Sequence, residues 1–434
     1  MAKKKKEERP REYTRRQLSH FQKQKRRQRI IFITGITVIA AILLIVLLGW
    51  YLNEYRPLHQ TLIRVGEREF NMAYYVDTLK IYETANPGQS IDIIDMSVPI
   101  VIKQNELVRL AAQPLGITIS DEEIKQTLEA NGQPVFDAYV DVTRAQKLET
   151  RLKDEYFGTQ KVPVSDNQVH IMALLAESES LATEARDKLI NGENFTALVE
   201  QYAQDTYSKA VKGDFGLHPR VILQEETDSD VPLDFAFGAE AGAVSPPLSD
   251  NQTFKGIGYW LLKVVERPSD NGTIVQALYL SSRDEALEIK ARLEAGENLG
   301  ALADQYSQYT PSKEKHGELG LIAKPSDNTT TVVSMLFDAY VFNPATELGK
   351  WSDPIPEIKF STRGGYWLVQ VIEKQINTDL SDEDREYLIS NAYTDWVSGL
   401  YLQYASEIDE SGLTSEARAW AIERANKELL QVGG

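Results

Sequence analysis

The sequence predicts an α+β protein: an N-terminal transmembrane helix, a helical domain assembled from two distant parts of the chain, and two tandem repeats with small antiparallel sheets. Three observations carry that reading. Residues 30–52 form an uncharged apolar run, residues 61–160 and 379–432 show helical spacing, and a unit of about a hundred residues is written twice.

The apolar run comes first. "IIFITGITVIAAILLIVLLGWYL" holds 23 residues without a charge. At 1.5 Å per residue it reaches roughly 34 Å, enough to span a hydrocarbon core. Trp50 and Tyr51 close it, where amphipathic rings favour the interface. Residues 1–29 precede it as a basic arm with 13 Lys and Arg against three Glu, a net +10. The other 405 residues therefore carry −27 of the total −17. The arm reads as the cytoplasmic flank of a single-pass span at residues 30–52, leaving the bulk of the chain outside the cytoplasm. Two rival readings are weaker. A cleaved signal peptide has a shorter apolar run and a small-residue cleavage site. A nucleic-acid-binding arm is not expected, because this one lies at the membrane edge, where anionic lipid is nearer.

Residues 61–160 follow. "IRVGEREF" predicts a strand and turn entering a helix. In "VIKQNELVRLAAQPLGI", Val101, Leu107, Leu110 and Ala111 share a helical face. Ser120 with Glu123 three residues on forms a capping box for another helix. Pro163 marks a boundary. After Asp379 the chain turns helical again, and these C-terminal helices (379–432) are expected to pack on the first helical domain.

Between them lies the repeat. "INGENFTALVEQYAQDTYSKAVKGDFG" (190–216) aligns with "EAGENLGALADQYSQYTPSKEKHGELG" (294–320) at a constant offset of 104. "GIGYWLLKVVER" (256–267) and "RGGYWLVQVIEK" (363–374) align at 107. The period is too long for a solenoid, so it marks a duplicated domain, at 163–268 and 272–375. Each copy reads as a strand, two helices, a Gly-x-x-Gly bend, an irregular stretch, a tight turn and a Gly-Tyr-Trp strand. Helices are expected on one side of each sheet.

The first copy resembles the parvulin family of peptidyl-prolyl isomerases (rotamases of the PpiC type). "HIMAL", "NGENFTALVEQYAQD", "KGDFG", "FGAEAGAVSPPL" and "GYWLLKV" carry the resemblance in the family's order. The second copy resembles it more faintly. "VGEREFNMAYY" and "AAQPLGITISDEEIKQTLE" are similar to the helical chaperone domain of the SurA/PrsA/PpiD foldases. The resemblance implies an extracytoplasmic, membrane-anchored foldase that binds unfolded or proline-containing exported polypeptides.

Rotation about an X-Pro bond meets a barrier of about 18–20 kcal/mol and is slow enough to limit folding. Catalysis needs an apolar socket and polar groups that favour the twisted amide, without metal or cofactor, and none is expected. The family's pattern assigns the catalytic floor to His170 and Asp205. It assigns the substrate-binding wall to Phe215, Phe235, Phe237 and Trp260, the last standing where the family has its second histidine. In the second copy the polar positions become Gln276, Tyr309 and Trp367, so that copy is expected to be inactive. Each residue also has a plain reading: His170 as a satisfied core residue, Asp205 as a solvated helix-end carboxylate, and Phe215 and the tryptophans as ordinary core. The competing function is a chaperone or scaffold whose parvulin-like modules do no chemistry.

With no cysteine, disulfides, thiolate metal sites and a cysteine nucleophile are excluded. No phosphate-binding loop, H-E-x-x-H or G-x-S-x-G occurs. "SKEK" at 312–315 fits S-x-x-K without its partner motifs, and with five histidines in the chain no metal site is expected.

Overall fold

The computed structural model describes residues 15–269, 271–325 and 331–432. The first fourteen residues of the basic arm lie outside them. The chain divides into two compact units, residues 15–159 with 390–432, and residues 160–389.

The first unit begins with the helix Arg15–Trp50, continued through Tyr51–Tyr55 and Arg56–Leu58. The stretch Arg29–Leu58 has a mean hydropathy of 3.1 in its most apolar window and is long enough to cross a membrane. A hairpin follows, β1 (Thr61–Val65) and β2 (Arg68–Asn71), then helices Met72–Ala85, Ile91–Ala112, Asp121–Ala130 and Asp137–Arg151. Ser120 caps the third of these by accepting from the Glu123 N–H, as its sequence signature predicts. At the centre, Arg68 bridges two buried carboxylates, Glu106 at 3.1 Å and Asp141 at 2.5 Å.

The end of the chain returns to this unit. β11 (Ile408–Asp409) pairs with β1, Ile408 opposite Val65. Helix Ser415–Val432 lies along Met72–Ala85, with Lys80 to Glu428 at 2.7 Å. Arg418 reaches Asp95 at 2.8 Å, and the Tyr75 hydroxyl donates to the same carboxylate at 2.7 Å. The terminal helices thus pack on the N-terminal helical region, as the sequence predicts.

The second unit contains two four-stranded antiparallel sheets. The first runs β4 (Asp214–Pro219), β3 (Ser165–Ala176), β10 (Thr362–Asp379), β5 (Leu248–Lys255). The second runs β8 (Glu318–Ala323), β7 (Gly272–Leu280), β6 (Gly258–Ser269), β9 (Ile355–Glu357). Each sheet is therefore closed by the other repeat's Gly-Tyr-Trp strand. β10 lies along β3 with Trp367 opposite Leu175, and β6 lies along β7 with Trp260 opposite Tyr279.

The tight turn that the sequence leads one to expect before each Gly-Tyr-Trp strand is replaced by a crossing. Two residues, 256–257, carry the chain from β5 in the first sheet to β6 in the second. Four residues, 358–361, carry it back from β9 to β10. The two closing strands are nearly the same sequence, so either fits either sheet and the exchange conserves the buried surface. This is domain swapping within one chain. The crossings are pinned to each other: Thr362 Oγ1 donates to the Ile257 carbonyl, and the buried Lys255 Nζ donates to the Gly364 carbonyl. Gly258 is required at the crossing, since a Cβ there would stand 2.4 Å from Tyr279 Cζ and 2.5 Å from Thr362 Cγ2.

Helices cover both faces of each sheet, not one. In the first sheet Val169, Ile171, Ala173 and Leu175 pack under Leu223, Leu233 and Ala236, from helices Arg220–Thr227 and Val231–Gly238. Leu174 and Ala176 pack on the other side, under Ala182, Ala185 and Leu198 from helices Glu179–Ile190 and Phe195–Tyr202. Strands buried on both faces become nearly continuous apolar runs. β3 and β7 accordingly carry apolar residues on both faces.

Candidate functional site

The apolar wall forms on one face of the first sheet. Phe215, on β4, is 3% exposed and packs with Trp367, Val369, Val371 and Leu223. Phe235 and Phe237, on helix Val231–Gly238, pack against the same cluster and are half-buried. The three phenylalanines predicted as wall residues thus share one core. The Tyr207 ring leans on Phe215 with centroids 5.3 Å apart.

His170 is not part of that wall. Its neighbours Val169 and Ile171 point into the Phe215 core, so by strand alternation His170 points to the opposite face. There its Nε2 meets Asp214 Oδ1 at 2.7 Å. Burial raises the Asp214 carboxyl pKa, but the bonds from His170 and the Gly216 N–H outweigh it and hold the group below its ordinary value.

Asp205 is at the N-cap of helix Thr206–Ala210 and accepts from the Ser208 N–H at 2.6 Å. Its carboxylate is buried, and Asp205 Oδ2 and Ser208 Oγ both lack a hydrogen-bond partner. Its counterpart in the second repeat, Tyr309, stacks edge-on against Trp260 at 5.1 Å. That position therefore belongs to the tryptophan side of the sheet, whereas His170 belongs to the other. Among the described residues no hydrogen bond joins His170 and Asp205.

Trp260, expected in the wall of the first copy, lies in the second copy's sheet and is fully buried. Tyr279, Tyr309, Phe337 and Phe360 surround it with ring centroids 4.6–6.2 Å away. Trp367 takes the matching place in the first sheet, 1% exposed, with its Nε1 donating to Asp250 Oδ2 at 3.0 Å.

Register also corrects one correspondence. The N–H of Ala173 bonds Gly213 and that of Ala277 bonds Gly317, so β3 and β7 correspond at an offset of 104. Gln276 is therefore the partner of Met172, and Ile274 that of His170. Two short apolar strands align equally well two residues apart; only the ladder decides between them. Ser312 of the S-x-x-K stretch is buried and donates to the Ala277 carbonyl, a structural role.

A residue group that sequence reading did not single out lies beside this wall. His218 Nδ1 meets Asp384 Oδ1 at 2.7 Å, and the Tyr207 hydroxyl donates to Glu226 Oε1 at 2.6 Å. A separation of 166 residues hides the first contact from any motif.

The two repeats correspond to a known class of domain, the peptidyl-prolyl isomerase type. The model of the PPIC-type PPIase (rotamase) domain matches residues 170–266 and 279–373. Foldase protein PrsA 3 of Bacillus anthracis is 28% identical over 166 residues, which cover 34% of this chain and 55% of the relative. Foldase protein PrsA of Caldanaerobacter subterraneus subsp. tengcongensis is 27% identical over 218 residues, 44% of this chain and 67% of the relative. The chain thus spans little more than half the length of the first of them. A crystal structure of PrsA from Bacillus anthracis covers 83% of this chain and 97% of its own at 11% identity, with a TM-score of 0.24, too low to bear on the fold. On the sequence matches, the chain carries two PPIC-type domains and is similar to PrsA-type foldases.

Proposed function

We propose that this chain is a membrane-anchored foldase that works outside the cytoplasm by holding exported polypeptides, its two PPIC-type domains serving as binding modules. The observation that carries this is the pair Trp367 and Trp260. Both stand where the family has a catalytic histidine, and both are closed into an aromatic or aliphatic core. Differential stabilisation of a twisted amide needs polar groups facing the bound proline, and His170 faces away from the apolar wall. The apolar helix and its basic flank support single-pass anchoring with the N-terminus in the cytoplasm.

The test is a protease-coupled isomerisation assay on the detergent-solubilised full chain, with an Ala-Pro tetrapeptide. The expected rate is the uncatalysed one, while aggregation of a reduced, unfolded client is suppressed. Acceleration that disappears in Asp205→Ala would overturn the non-catalytic reading. One observation favours that second reading, activity confined to the first domain: Asp205 Oδ2 and Ser208 Oγ are buried and unpartnered there. In the second repeat the counterpart Ser312 is fully bonded.

A further inference from the structure

A cavity of about 520 Å³ opens beside the Phe215 wall, lined by Tyr207, His218, Ile222, Glu225, Glu226, Glu383, Asp384 and Tyr387. Among the described residues, four carboxylates line it and no lysine or arginine does. Acidity alone is weak evidence, but two atoms here point to an occupant. Asp384 is 3% exposed, and its Oδ2 has no hydrogen-bond partner among the described residues. Glu226 Oε2 is also buried without one. Each of these carboxylates is held by its other oxygen, Asp384 by His218 and Glu226 by Tyr207. Two positioned acceptors are thus left without a donor, and a buried acceptor without a donor is costly.

Both acceptors need donors, and the charge needs a cation. Guanidinium supplies both, with five N–H groups in a planar fork that matches carboxylates. The phenol rings of Tyr207 and Tyr387 give it faces to stack on. Burial holds the Glu226 carboxyl above its ordinary range, against the Tyr207 bond and the His218 charge that lower it. A bound cation would favour its charged form. Tyr207 also touches Phe215, so the cavity and the apolar wall are neighbours that one extended chain could reach.

We propose that this cavity receives an arginine side chain of the held polypeptide, with Asp384 and Glu226 as its carboxylate partners. The proposal rests on the chain-holding function above and adds a side-chain preference to it.

The test uses the full chain in nanodiscs and two acetylated, amidated pentapeptides, Ala-Ala-Arg-Ala-Ala and its citrulline counterpart, which has the same shape without the charge. Calorimetry or fluorescence anisotropy with a labelled peptide should show the arginine peptide binding at least tenfold tighter. Asp384→Asn and Glu226→Gln, which conserve shape, should each reduce that ratio, and together abolish it. Hydrogen exchange should show the arginine peptide protecting residues 218–227 and 382–388. Equal binding of the two peptides, a ratio that survives in the double variant, or protection elsewhere would overturn the proposal. Client aggregation is measured alongside. A chain that suppresses aggregation without preferring arginine defeats this proposal alone; one that suppresses nothing defeats the holding function.

Discussion

Trp367 lies directly opposite Leu175 in one sheet, and Trp260 lies opposite Tyr279 in the other. Each tryptophan thus closes the sheet of the repeat that did not encode it. The exchange makes the two domains one folding problem, because neither sheet is complete until both crossings are made. That interlock, and the polar groups inside each unit, have measurable consequences.

The exchange can be trapped covalently, since the chain has no cysteine of its own. Met172 faces Gln370 across β3 and β10. Had each repeat closed its own sheet, Met172 would face Lys263 instead. Met172→Cys with Gln370→Cys should form an intramolecular disulfide under mild oxidation, and Met172→Cys with Lys263→Cys should not. Mapping by proteolysis and mass spectrometry reads the outcome, and the reverse result would refute the exchange.

Two nearby glycines should behave differently. Gly258→Ala forces a Cβ against Tyr279 and Thr362 and should destabilise the protein by about 1–3 kcal/mol. Gly256→Ala meets nothing within 4 Å and should change stability by about 0.5 kcal/mol or less. Urea unfolding followed by tryptophan fluorescence distinguishes them.

Lys255 should impose a pH dependence. Burial pulls its ammonium pKa down to about 8, against the carboxylates Glu177 and Glu285 that raise it. The unfolded chain keeps that proton up to the ordinary lysine value, so between these pH values the unfolded state binds more protons. Stability should therefore rise with pH across that window, by up to about 3 kcal/mol. Below it both states are protonated and the slope vanishes. Lys255→Met should lack the rise; parallel curves for the two proteins between pH 7.5 and 10 would count against it.

The two tryptophans should differ on replacement by phenylalanine. Trp367 donates to Asp250, so Trp367→Phe leaves a buried carboxylate short of a donor, at about 1–3 kcal/mol beyond the lost volume. Trp260 Nε1 is buried without a partner, so Trp260→Phe carries only the volume loss. Equal losses in denaturant titrations would contradict the bond assignment.

Arg68 should be the most sensitive charge of the first unit. Arg68→Ala leaves Glu106 and Asp141, 2% and 6% exposed, without their shared partner. The expected loss is about 3 kcal/mol or more, visible as a lower melting temperature.

Much of this was legible in the chain. The apolar run, the Ser120 cap and the constant offset of 104 are local signals, and helix termini and repeats are written in neighbouring residues. Phe215, Phe235 and Phe237 were singled out by the resemblance to the family, and the fold gathers them in one core. His170 was not, because a strand's facing depends on a parity of one residue, and its short segment aligns in more than one register. The His218–Asp384 contact was not legible either, since it joins positions far apart with no motif between them.

Local periodicity, composition and the duplication determined the element types, the long apolar helix and the two-copy organisation. Which strand completes which sheet was decided only by tertiary structure, because "GYWLLKV" and "GYWLVQV" satisfy the same sheet positions nearly equally. Near-degenerate strands leave the choice to the crossings, where Gly258, Thr362 and Lys255 make one arrangement close-packed.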